Sequence, residues 1–173
     1  MALKESLKTI SERVLRLLDR LAFIAPLATR VVIGLAFVQT GLGKWRHFDR
    51  TIQYFGSLGI PFPTFNASLV ASMELVGGAF LIAGLLTRFM AAGLSTTMIV
   101  ALFTADTEAF LSSWKASSDI SPTDVISFTF LLFLLWLVFL GPGAASLDAI
   151  ISRLTGIGRR ARARVAGTAV AEG

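Results

Sequence analysis

Two charged residues stand where an uncharged stretch would otherwise run unbroken. Arg30 sits within the apolar run from Leu21 to Leu42, and Glu74 within the run from Ala67 to Leu86. Each is costly alone in hydrocarbon, and opposite charges on neighbouring helices are the simplest way to keep both ionised. Counted from the ends of the two apolar runs at 1.5 Å per residue, Arg30 lies roughly 13 Å deep and Glu74 roughly 18 Å, so the sequence predicts an Arg30–Glu74 ion pair inside a helical bundle. Two roles fit such a pair. It can lock the packing of the two helices, or it can floor a polar cavity that takes a quinone head, a lipid head or another small polar group. A proton-relay role suits Glu74 less well, because a paired carboxylate is a weak proton acceptor.

Gln39 and Lys44 are the other candidate binding residues. Gln39 follows Arg30 by nine positions, which puts it on the opposite side of an ideal helix, while Gly34, Thr40 and Gly41 lie nearer the Arg30 side. Lys44 follows Gly41 and Gly43 at the rim, where it can meet an anionic lipid or substrate or simply snorkel. No residue is singled out as catalytic. The chain has no cysteine and a single histidine, His47. It thus offers no thiol redox couple, no Cys-ligated cluster and no two-His metal or haem site of its own.

The elements that carry these residues follow from composition. The chain has 173 residues, of which 54% are hydrophobic and only 16% charged, with 14 Phe. Soluble domains carry about 25% charged residues, so an ordinary soluble fold is excluded. Four apolar segments emerge: Leu21 to Leu42, Ala67 to Leu86, Phe89 to Ala105 and Val125 to Leu140. They are too long and too little alternating for strands, and crossing a bilayer takes about 20 apolar residues. The expected fold is all-α, an integral membrane four-helix bundle.

The flanks complete this organisation. In residues 1–20, Leu3, Leu7, Ile10, Val14, Leu17 and Leu18 recur at helical spacing between charged residues. This predicts an N-terminal amphipathic interfacial helix rather than a secretory signal. Residues 21–148 form the membrane domain and residues 149–173 a basic tail with Arg159, Arg160, Arg162 and Arg164. Thr87 and Arg88 are expected to form a tight turn between the second and third spans. Phe48, Ile52 and Phe55 share one helical face in the first long loop, and Gly56, Gly59, Pro61 and Pro63 then stop any helix. Eleven Lys and Arg fall on the side of the termini and the Arg88 turn, against four on the other. The positive-inside rule then puts both termini in the cytoplasm. The net charge of +5 is gathered at this rim rather than along a soluble face, so nucleic acid is not an expected partner.

The order and spacing of several motifs resemble the DoxX family of small four-span bacterial membrane proteins. The resemblance runs over roughly residues 24–148. It rests on Arg30 with Gly34, Phe37, Gly41 and Lys44, on Gly59–Ile60–Pro61, on Glu74, Gly77, Gly78, Gly84, Leu85, Thr87 and Arg88, and on Gly141–Pro142–Gly143 with Leu147 and Asp148. The resemblance implies a bacterial cytoplasmic-membrane protein linked to redox metabolism. Some relatives are subunits of a quinol oxidase or a thiosulfate:quinone oxidoreductase, and others join complexes against oxidative stress. It implies no covalently bound cofactor, a quinone as cofactor class, membrane lipids as surroundings and a membrane or peripheral oxidoreductase as partner. A small-solute or lipid transporter and a purely structural anchor remain the alternatives. The Phe-rich fourth span, with Phe128, Phe130, Phe133, Trp136 and Phe139, offers a homodimer surface or a lipid-facing one.

Overall fold

A computed structural model of the chain describes residue 15 and residues 21–115 and 118–155. Apart from Leu15, the interfacial helix expected over residues 1–20 lies outside the described residues, as does the arginine-rich part of the tail.

Every regular element among the described residues is helical. The order is α1 (Ile24–Arg46), α2 (Phe48–Ser57), α3 (Pro63–Ala83), α4 (Thr87–Thr104), α5 (Thr107–Ser113), a 3-10 turn (Pro122–Asp124), α6 (Ile126–Leu140) and α7 (Leu147–Thr155). Helices α1, α3 and α4 are long and apolar enough to cross a membrane; α6 is a shorter apolar helix of 15 residues. Its ends nevertheless meet both ends of α4. Ser127 Oγ donates to Asp106 just beyond one end (2.5 Å), and Arg88 Nη2 donates to the Phe139 carbonyl at the other (3.3 Å).

Helices α1, α3, α4 and α6 close a ring around Ile33, Phe37, Leu81, Ala91, Leu94, Leu134 and Leu137. Phe37 meets Phe130 edge-on at 5.5 Å, joining α1 to α6 across the centre. Phe130 therefore belongs to the interior, whereas Phe133, Trp136 and Phe139 of α6 face outward. Val32, Phe65, Phe89 and Phe103 are also exposed, an outer surface matched to lipid rather than water.

Glycines set the closest helix approach. A Cβ on Gly34 would lie 2.7 Å from the Gly78 carbonyl oxygen, and one on Gly41 would lie 2.6 Å from the Leu75 nitrogen. Helices α1 and α3 thus touch backbone to backbone, the small-residue packing that a bilayer favours. This antiparallel register, Gly34 beside Gly78 and Gly41 beside Ala71 and Leu75, decides which charges can meet.

The turn between α3 and α4 is Gly84–Leu85–Leu86, with Thr87 and Arg88 already helical. Gly84, at φ 69°, closes α3 in a Schellman motif: its N–H reaches the Leu81 carbonyl and the Leu85 N–H reaches the Phe80 carbonyl, both at 3.0 Å. Leu86 is also left-handed, at φ 47°, a strained conformation for a residue with a Cβ. Asp148 holds it. Its carboxylate accepts from the Leu86 N–H (2.8 Å) and the Thr87 N–H (2.9 Å), capping α4 from 61 residues away in sequence. The Asp148 N–H returns to the Gly84 carbonyl at 2.9 Å. Asp148→Ala is expected to lower stability by about 1–2 kcal/mol, the value of a lost helix cap, while Asp148→Asn retains part of it. Thermal aggregation midpoints in detergent would show that ordering.

Candidate functional site

Glu74 does not pair with Arg30. It is nearly fully buried, and its Oε2 accepts from Lys44 Nζ at 2.5 Å. The register explains the change of partner. Arg30 lies level with Gly84, ten positions and about 15 Å along α3 from Glu74. Helix α1 continues past Gly41 and Gly43 to Arg46, so Lys44 is carried on the helix itself, and its long side chain reaches back to Glu74. Counting depth from the expected span ends placed the two charges too close together. The seam glycines fix the true offset.

Arg30 occupies a separate place at the other end of the bundle. It is 1% exposed. Its Nη2 donates to the Ala145 carbonyl at 2.5 Å, and its head lies against Gly84, leaving no room for a Cβ there. Its Nε and Nη1 have no hydrogen-bond partner among the described residues. Arg30 therefore ties α1 to the segment after α6 and is remote from the Lys44–Glu74 pair. Gln39 is exposed on the opposite side of α1, as its nine-residue offset requires. Of the four candidate binding residues, the structure brings together Lys44 and Glu74 and leaves Arg30 and Gln39 elsewhere.

The pair forms part of the wall of a cavity of about 600 Å³. Helix α2 supplies Tyr54 and Phe55, the following loop supplies Leu58 to Pro61, α3 supplies Asn66, Leu69 and Val70, and α4 supplies Thr96, Thr97, Met98, Val100, Ala101 and Thr104. Helix α2 forms where the sequence marks a helical face, but it buries Thr51 with Phe55, half-buries Phe48 and Ile52, and runs through Gly56 to Ser57. Thr51 Oγ1 donates to the His47 carbonyl (3.1 Å), which fastens the start of α2 to the end of α1. Gly59, at φ 72°, turns the loop, and Asn66 Nδ2 donates to the Pro61 carbonyl (2.6 Å), holding that loop against α3.

The cavity is thus apolar with one concentrated polar spot. The Lys44 side chain is 26% exposed, against 4% for Glu74, so the ammonium is the more accessible half. Glu74 Oε1 has no donor among the described residues. The spot can offer ammonium N–H donors and a carboxylate acceptor side by side, next to walls that accept a ring or an alkyl group. The hydroxyls of Thr96 and Thr97 donate to the carbonyls of Ala92 (3.2 Å) and Leu94 (2.8 Å). Both hydroxyls are satisfied on their own helix, and both residues still line the cavity wall. Their signal was available in spacing: Thr96, Val100 and Thr104, and Thr97 and Ala101, repeat at four residues and share one side of α4. Tyr54 and Asn66 carried no comparable mark. No group of three or more His, Asp or Glu among the described residues is placed to hold a metal ion.

Comparison with known proteins agrees with this architecture. The DoxX family pattern matches residues 25–107, which includes Arg30, Lys44, Glu74 and most of the cavity wall. A protein of Mycobacterium tuberculosis named "Uncharacterized membrane protein Rv3486" is 33% identical over 140 residues, 76% of this chain and 84% of that protein. The Escherichia coli "Inner membrane protein YphA" is 30% identical over 131 residues, covering 70% and 86% respectively. A Bacillus subtilis protein named "Putative oxidoreductase CatD" is 38% identical over 86 residues, half of this chain, and the matched region spans 63% of that relative's length. No solved structure matches the chain. The matched relatives, together with the helical bundle and its glycine seam, make this chain a membrane protein of the DoxX family.

Proposed function

We propose that the protein is a quinone-associated subunit of a membrane redox assembly, and that the cavity beside Lys44 and Glu74 holds the ring of a quinone-class molecule. The observation that carries this reading is the cavity itself: about 600 Å³, largely apolar, with one cation–carboxylate pair in its wall. Ligand pockets commonly measure about 300–1,000 Å³ and combine apolar walls with a few placed polar groups. The residues fit the group. Lys44 has donors left after serving Glu74, which suits a carbonyl oxygen, and Glu74 keeps the ammonium charged and in place. Tyr54, Leu58 and Met98 offer the apolar surface, and the Leu58–Pro61 loop limits access of water. Bound, a quinone supplies two-electron, two-proton chemistry. The chain has no cysteine, so an oxidoreductase partner would deliver the electrons, and the name of the CatD relative supports that assignment. The excess of basic residues beside both termini supports a cytoplasmic position for the two ends of this inner-membrane protein. The exposed rings of α6 would be the place for a partner or a second copy.

The test is retention and binding of quinone. Protein purified gently from its native membrane should carry extractable quinone and should bind an added short-chain quinone, read as quenching of tryptophan fluorescence. Ala101→Phe places a ring in the cavity while leaving Lys44 and Glu74 unsubstituted, and is expected to weaken binding by at least about tenfold, the equivalent of ~1.4 kcal/mol. If wild-type protein retains none and binds none, or if the filled cavity binds equally well, the reading fails.

A further inference from the structure

The opposite end of the bundle carries a second concavity, independent of the quinone reading. A groove of about 720 Å³ lies between the start of α4 and α7, lined by Leu86, Arg88, Phe89, Asp148, Ala149 and Ser152 among others. We infer that this groove seats the headgroup of an anionic phospholipid of the adjacent leaflet, with Arg88 as its phosphate ligand.

Charge complementarity selects this occupant. Asp148 is the one acid in the lining, and its two oxygens are engaged by the Leu86 and Thr87 N–H groups. The buried Arg30 lies within Coulombic reach of the same carboxylate. Arg88 is exposed in the groove and spends one N–H on the Phe139 carbonyl. Arg88 is thus the one cation in the lining, and the one acid beside it already has both oxygens occupied, so an anion is the complement.

The apolar surroundings say that the anion is a lipid. Phe89 is 72% exposed and Leu86 53% exposed beside Arg88, at the end of two membrane-length helices. They offer a path for an acyl chain running from the phosphate along α4. Helix α7 has its groove-lining residues on one side and Leu147, Ile150 and Leu154 on the other, with Leu154 82% exposed. Such a helix lies in the interface with its apolar side in the headgroup–acyl boundary. Asp148 pins it there, so the groove faces the headgroup layer.

Native mass spectrometry of the full chain in a neutral detergent tests the assignment, with phosphatidylglycerol and phosphatidylcholine of equal chain length offered in competition. Phosphatidylglycerol should be retained preferentially. Arg88→Gln should lower that retention about fivefold, the equivalent of ~1 kcal/mol for one basic residue at an anionic surface. Lys115→Gln removes the same charge from an exposed position far from the groove and should leave retention unchanged. Inorganic phosphate at millimolar concentration should not displace the lipid. Equal retention of the two lipids, equal effects of the two substitutions, or displacement by phosphate would each overturn the proposal. Unchanged phosphatidylcholine adducts and helical content in Arg88→Gln separate lost recognition from lost fold.

Discussion

Glu74→Leu is expected to destabilise the bundle by about 3–5 kcal/mol, because it leaves the Lys44 ammonium without its carboxylate in a largely apolar wall. Lys44→Met strands the buried carboxylate and is expected to cost a similar amount. The double variant, Lys44→Met with Glu74→Leu, removes both charges. Apolar replacement of a buried ion pair is often neutral or stabilising, so most of the lost stability should return. Binding should not return with it. A quinone carbonyl would meet a thioether in place of an ammonium, and loss of a charge-assisted hydrogen bond of about 1.5–3 kcal/mol weakens binding roughly 10- to 150-fold. The double variant therefore separates the two roles that the pair could serve. Recovered stability with lost binding assigns the charges to the ligand. If the double variant binds quinone as the wild type does, the pair serves helix packing alone. Thermal unfolding in detergent and tryptophan quenching, measured on the same preparations, supply both readouts.

The second large effect is expected at Gly84. Two separate penalties meet there. The residue is left-handed, at φ 69°, and a Cβ would overlap the Arg30 guanidinium and approach Ser146 Cβ to 2.7 Å. Left-handed geometry costs about 1–2 kcal/mol for a residue with a Cβ, and overpacking adds about 1–3 kcal/mol. Gly84→Ala should thus lose about 2–5 kcal/mol. Gly59 supplies an internal control. It is also left-handed, at φ 72°, but nothing lies within 4 Å of its Cβ position. Gly59→Ala should show the conformational penalty alone. The difference between the two variants measures how firmly Arg30 is seated. Similar losses at both positions would mean that the Arg30 head moves aside freely, contrary to its burial between Gly84 and Ala145.

Both predictions concern charges that stand out in the sequence, yet their partners differ from the sequence reading. Arg30 and Glu74 were conspicuous because each interrupts an apolar run, and both are buried. Their proposed contact relied on depths counted from where the apolar runs begin and end. The helices are each shorter by three residues at that side, beginning at Ile24 in α1 and ending at Ala83 in α3, which leaves the counted offset unchanged. The two ends are not level: the contact of Arg30 with Gly84 leaves Glu74 ten residues, about 15 Å, further along α3. Lys44 looked like a rim lysine because Gly41 and Gly43 suggested a helix end. Gly41 instead serves close packing on α3.

The sequence by itself determined the membrane class, the four apolar helices, the short α2 and the two buried charges. These follow from hydrophobicity and local spacing, which act within one segment of chain. Only the tertiary structure decided which charges meet, because antiparallel register is set by backbone contact between Gly34 and Gly78 and between Gly41 and Leu75. It also decided that Asp148 caps α4, and that Tyr54, Asn66 and Thr97, from three different helices, share one cavity with Lys44 and Glu74. Such relations join residues far apart in the chain, and no local pattern encodes the distance between them.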